Sequence, residues 1–180
     1  MNLANKLTIF RVLLIPVFVF FLITPIFEPW GTHVALAVFC LASFTDFLDG
    51  FIARRFNMVT NFGKFMDPLA DKLLVCIAMI CLLVLGRLSL VFVLVVIARE
   101  FIISGFRLVA SDNNVVIAAS FWGKFKTVSH MALIIVLLLN LESDTMKIVE
   151  MILYFLAWAL TLISLFDYIY KNRAVLKENK

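Results

Sequence analysis

Residues 72–99 read K-L-L-V-C-I-A-M-I-C-L-L-V-L-G-R-L-S-L-V-F-V-L-V-V-I-A-R. A cation closes the stretch at each end, and Gly86-Arg87 interrupts it between the uncharged runs Leu73–Gly86 and Leu88–Ala98. Neither run alternates apolar with polar residues, as the strands of a transmembrane barrel do over about ten residues. The stretch therefore reads as a helical hairpin, its charged ends at one membrane face and its Arg87 turn at the other.

The same pattern extends in both directions. Further uncharged runs occupy Val12–Phe27, Pro29–Thr45, Thr127–Leu141 and Met151–Phe166. Each is shorter than the roughly 20 residues that span about 30 Å of hydrocarbon, so the helices must extend past the runs and carry charges at their ends. Six helices are expected, at about 6–27, 33–55, 64–85, 88–109, 119–140 and 147–171. Of 180 residues, 64% are apolar and 16% charged, and the mean hydropathy is +1.08. A soluble domain is nearer half apolar and a quarter charged, and one this small cannot bury so much apolar surface. The expectation is a single all-α integral membrane domain over residues 1–180. A cytosolic enzyme, a disulfide-stapled secreted domain and a disordered tail are excluded. Cys40, Cys76 and Cys81 form no C-x-x-C pair and sit in apolar runs, where cysteine acts as a small hydrophobe. Lys6 and Arg11 ahead of Val12–Phe27 resemble the start of a signal peptide, but five more apolar runs follow, so an uncleaved first span is expected.

Lys and Arg set the orientation. With a cytoplasmic N-terminus, fourteen of the sixteen fall at inner helix ends, leaving Arg87 and Lys147 outside. That bias places both termini in the cytoplasm of a multi-pass cell-membrane protein. The net charge of +4 is accounted for by anionic lipid headgroups along that face rather than by nucleic acid.

Carboxylates inside spans are costly and usually functional, and here they collect at one depth. Asp46 and Asp49 lie three apart near the inner end of the second helix, and Asp67 and Asp71 four apart at the inner start of the third. Each pair shares a helix face, and a short cytoplasmic turn brings the pairs together. Four carboxylates so placed repel or take up protons unless cations join them, and hard divalent cations prefer such oxygen ligands. Ion pairing with Arg54, Arg55, Lys64 and Lys72 is the blander account. Gly50 and Gly63, costly in a helix, and the small Ala53 leave room for a ligand beside the metals.

Residues 46–71 read D-F-L-D-G-F-I-A-R, eight residues, then G-K-F-M-D-P-L-A-D. This resembles the D-x-x-D-G-x-x-A-R-x8-G-x-x-x-D-x-x-x-D signature of the CDP-alcohol phosphatidyltransferases without a departure. Asn5-Lys6-Leu7-Thr8-Ile9-Phe10-Arg11 with Pro16, Ala98-Arg99-Glu100, Gly105-Phe106-Arg107 and Gly123-Lys124-Phe125-Lys126-Thr127 resemble the bacterial branch that makes phosphatidylglycerophosphate. His130 departs from it, since glutamine is expected there, and reads as a packed histidine.

The resemblance implies a homodimeric six-helix membrane enzyme with its active site on the cytoplasmic side. It implies that CDP-diacylglycerol and sn-glycerol 3-phosphate give phosphatidylglycerophosphate and CMP. Asp46, Asp49, Asp67 and Asp71 are implied to hold two divalent cations, magnesium or manganese, with Asp71 also the catalytic base. Asp49, Gly50, Ala53, Arg54, Gly63 and Thr8 are implied to bind the CDP-lipid. Two divalent cations balance the four carboxylates, so the substrates' own phosphates need further cations. Arg107, Lys124 and Lys126, with Arg99, are expected to meet the acceptor phosphate, Arg as a bidentate partner and Lys as a point charge; membrane topology alone is the competing account of them. Arg99 has a further use open to it, pairing with Glu100 or supporting the metal site. The basic set favours a phosphorylated alcohol over serine or phosphatidylglycerol, and the G-K-x-K-T stretch favours glycerol 3-phosphate over inositol phosphate. A divalent-cation transporter is disfavoured, because its charges should spread through the depth of the bundle.

Overall fold

Lipid offers the backbone no hydrogen-bond partner, so a chain crossing it must satisfy its own N–H and C=O groups, as a helix does. The computed structural model describes residues 3–27, 30–55, 61–112 and 120–172. Among these residues there is no strand, and six helices form: α1 (Leu3–Ile23), α2 (Trp30–Arg55), α3 (Asn61–Val84), α4 (Leu90–Asp112), α5 (Phe121–Leu139) and α6 (Asp144–Asn172). Hydroxyls follow the same rule and bond their own helix: Thr45 Oγ1 donates to Ala42 O at 2.7 Å and Ser104 Oγ to Glu100 O at 2.6 Å. Three helices carry stretches apolar and long enough to cross a membrane, Lys6–Ile23, Phe121–Leu139 and Asp144–Asn172. The apolar part of α3, Lys72–Val84, is shorter. This is an all-helical multi-pass membrane protein.

The first helix stops earlier than expected. Pro25 has no N–H and pushes the residue before it out of helical conformation. So α1 ends at Ile23, and Pro25–Phe27 forms a separate 3₁₀ turn. At the end of α3, Gly86 adopts φ +70°. Its N–H reaches Leu83 O at 2.9 Å and that of Arg87 reaches Leu82 O at 2.8 Å, so the last carbonyls are capped. Serines open the next two helices. Ser89 Oγ accepts from Phe92 N at 3.3 Å, and Ser120 Oγ from Gly123 N at 3.1 Å.

The helices pack as two compact units. In the first, α1–α3 with Leu137–Leu141, α1 lies against both α2 and α3. Its buried strip is Thr8, Arg11, Ile15, Phe18 and Leu22, the three-and-four spacing of one helix face. Gly31, Ala35, Phe39 and Ala42 form the matching face of α2, and Phe18 meets Phe39 with ring centroids 6.0 Å apart. Gly31 is required sterically, because a Cβ there would lie 2.4 Å from Phe21 O. Small residues of this kind let membrane helices approach closely. The opposite face of α1 exposes Phe10, Leu13, Val17 and Phe20, as lipid contact demands.

In the second unit, Ser89–Val136 and Glu142 onward, α4 packs on α6. Phe92 stacks against Tyr154 and Trp158 at 4.9 and 5.5 Å. The core of this unit also holds polar groups, Arg99, Lys126, Ser129, His130, Thr161 and Ser164, which lie on α4, α5 and α6.

Candidate active site

In the first unit, α2 runs unbroken through residues 46–54 and α3 through 63–71, so the motif positions occupy continuous helix as their spacing requires. The side chains of Asp49, Gly50, Ala53, Arg54, Gly63, Asp67 and Asp71 fall outside the described residues. Asp46 is the motif carboxylate whose side chain is described, and among the described residues no three potential metal ligands come together. Arg11 Nη1 stands 2.6 Å from Asp46 Oδ1 in an ion pair whose guanidinium is fully buried and whose carboxylate keeps 36% of its surface open. Thr8, one turn earlier on the same face of α1, is also fully buried.

By the cation count of the sequence, Arg11 serves topology. In the structure α1 also delivers a buried cation to the motif, where it pairs with Asp46. Its place on the Thr8–Leu22 strip was the available signal.

The second unit gathers the basic residues. Arg99 Nη1 donates to Glu100 Oε1 at 3.0 Å, and Lys126 Nζ contacts the same oxygen. Arg99 Nε donates to Ser164 Oγ at 3.3 Å, and Ser164 Oγ donates to Thr161 O at 3.0 Å. Arg99 and Lys126 retain 7% and 4% of their surface. Helices α4 and α5 thus bring two cations to one carboxylate, and α6 steadies the guanidinium. Lys124, two residues from Lys126, is exposed, because two residues turn a helix by more than half a circle. Arg107 is half-buried, and its Nε is buried without a hydrogen-bond partner. Gly123 lies beside Arg99, where a Cβ would be 3.5 Å from Nη2.

His130 is fully buried, as a packed histidine should be. Thr161 Oγ1 donates to Ala157 O at 2.6 Å, so it accepts from His130 Nε2 at 2.9 Å and the ring carries its proton on Nε2. Glu100 entered the sequence reading only as a partner for Arg99. Its hold on Lys126, and the roles of Thr161, Ser164 and Tyr168, were not assigned. These three lie on one face of α6, at three- and four-residue steps, and that pattern is readable in the sequence.

The profile of the CDP-alcohol phosphatidyltransferase family matches residues 1–163. The chain belongs to that family. The match spans the aspartate motif and the basic residues of α4 and α5, so this transferase carries both sets within the family's own frame. It is 39% identical to a CDP-diacylglycerol–glycerol-3-phosphate 3-phosphatidyltransferase of Bacillus subtilis, over 98% of this chain and 97% of that one. Proteins of the same name from Escherichia coli K12 and Shigella flexneri are 39% and 40% identical, each match covering 96% of both chains.

Proposed function

We propose that this transferase moves the phosphatidyl group of CDP-diacylglycerol to sn-glycerol 3-phosphate, forming phosphatidylglycerophosphate and releasing CMP. The observation that carries the reading is full-length identity of 39–40% to proteins named for that reaction. The complete eight-position motif supports the phosphatidyl transfer. The buried cations of the second unit support an acceptor that bears a phosphate. The family profile runs through both packing units, which supports one catalytic domain over residues 1–180. Six membrane spans with both termini cytoplasmic, and a reaction at the cytoplasmic face of the cell membrane, follow from the Lys and Arg distribution. A homodimer follows from family resemblance.

The donor set fits hard divalent cations: the motif offers four carboxylates and no thiol or imidazole. The described Asp46 carboxylate remains partly open beside its Arg11 pair. Asp46, Asp49, Asp67 and Asp71 would hold two such ions, magnesium or manganese. When bound, these ions neutralise the diphosphate and stabilise the departing oxygen. Gly50, Ala53 and Gly63, with Thr8, Asp49 and Arg54, admit the cytidine diphosphate end of the lipid. Arg107, Lys124, Lys126 and Arg99 hold the acceptor phosphate. Asp71 takes the proton of the glycerol hydroxyl as its oxygen forms a bond to the lipid-side phosphorus. The bond from that phosphorus to the CMP oxygen breaks, and CMP leaves.

The test is CMP release by the purified chain in detergent, with glycerol 3-phosphate, inositol phosphate or serine offered in turn. Turnover confined to glycerol 3-phosphate is expected, and preferred use of another alcohol overturns the assignment.

A further inference from the structure

Tyr168 lies on α6 one turn beyond Ser164, the residue that holds Arg99. It keeps only 2% of its surface, yet its hydroxyl is buried without a hydrogen-bond partner. Leaving such a group unsatisfied is destabilising, and phenylalanine would avoid that cost with the same ring. The ring itself is positioned by packing, edge-on to Phe106 with centroids 6.1 Å apart. The residue after Phe106 is Arg107, whose Nε is the other orphaned donor of this region. Arg99 lies about two turns before Arg107 on α4 and is held by Ser164, one turn before Tyr168 on α6. Tyr168 Oη and Arg107 Nε are thus two buried donors without acceptors, on the helices that also hold Arg99 beside a carboxylate shared with Lys126. What this arrangement lacks is an anion with several acceptor oxygens.

We propose that the Tyr168 hydroxyl is a substrate-contacting group that donates a hydrogen bond to the phosphate of the acceptor, beside Arg107. This rests on the reading that the acceptor is a phosphorylated alcohol. It adds a specificity-determining residue, because an alcohol without an anionic group, such as free glycerol, leaves the phenol and Arg107 Nε unsatisfied. The phenol contributes a neutral, short and directional donor where the surrounding cations contribute charge.

The test is Tyr168→Phe in the full-length protein in detergent, with steady-state CMP release and thermal unfolding measured on the same preparation. The KM for glycerol 3-phosphate should rise about ten- to hundredfold, the range for a hydrogen bond to a charged group. The maximal rate and the KM for CDP-diacylglycerol should stay unchanged. Without ligand the variant should melt at or above the wild-type temperature, since an orphaned polar group has been removed. Inorganic phosphate should raise the melting temperature of wild type and do so less for the variant. An unchanged KM for glycerol 3-phosphate overturns the proposal, as does a lowered ligand-free melting temperature with both KM values raised, which marks a packing role. If wild type does not use glycerol 3-phosphate but phosphate protects it and not the variant, the anion contact stands and the acceptor assignment falls. If phosphate protects both equally, the contact falls.

Discussion

Lys124 and Lys126 stand two residues apart near the start of α5, one exposed and the other 4% exposed. Both are assigned to the acceptor phosphate, so burial should decide how much each contributes. Two unit charges at about 4 Å interact by about 1 kcal/mol in water and about 4 kcal/mol at an effective dielectric near 20. Lys126 belongs to the second environment, less what Glu100 already takes. A net value of about 1.5–3 kcal/mol is reasonable for such a charge-assisted contact. At about 1.4 kcal/mol per factor of ten, Lys126→Met should raise the KM for glycerol 3-phosphate about ten- to hundredfold. Lys124→Met should raise it no more than about fivefold. That smaller effect should fade in 1 M salt, where the screening length falls to about 3 Å, while the Lys126 effect persists. The Lys126 variant should remain folded, because methionine keeps the apolar stem and Glu100 retains Arg99 at 3.0 Å. Initial rates of CMP release, with each substrate varied at 0.1 and 1 M salt, provide the comparison. A larger or more salt-resistant effect at Lys124, or a Lys126 effect confined to the KM for CDP-diacylglycerol, refutes the reasoning.

Three other outcomes are expected. Gly31→Ala gains about 1 kcal/mol of helix propensity but drives a Cβ to 2.4 Å from Phe21 O, so the net should be about 1–2 kcal/mol of destabilisation; an unchanged or higher melting temperature in detergent contradicts the close packing of α1 and α2. Reporter tags at both termini, and a cysteine label near Lys64, should react from the cytoplasm, and labelling of the Glu28–Thr32 segment from that same side refutes the topology. Asp71→Asn should still bind CDP-diacylglycerol and metal but lose about 10² to 10⁴ in turnover at every metal concentration, whereas excess metal should partly rescue variants of Asp46, Asp49 or Asp67; rescue of Asp71→Asn would reduce it to a ligand.

The number and order of helices were legible because uncharged runs separated by charged ends leave a lipid-embedded chain no other regular structure. Their ends were less so. Pro25 cut α1 back to Ile23, and α6 starts at Asp144, where Ser143 O accepts from Lys147 N at 3.0 Å, rather than near the expected 147. On α1 apolar periodicity does not separate the buried face from the lipid-facing one, and Thr8 and Arg11 are the residues that mark it. Arg11 shows the consequence, since a hydropathy count takes a cation at a helix end as solvated, whereas here it is buried against Asp46. In the second unit the basic residues were legible as a set but not as individuals. Helical turn and a shared carboxylate separate Lys126 from Lys124, and spacing alone carries no information about Glu100 as their divider.

Phosphatidyl transfer to glycerol 3-phosphate is read out as lipid product formed from the labelled acceptor. Purified protein, CDP-diacylglycerol and a divalent cation should convert the label into phosphatidylglycerophosphate, with one CMP released per lipid formed. CMP release without label entering the lipid, or no labelled lipid while serine or inositol phosphate is incorporated, would contradict it.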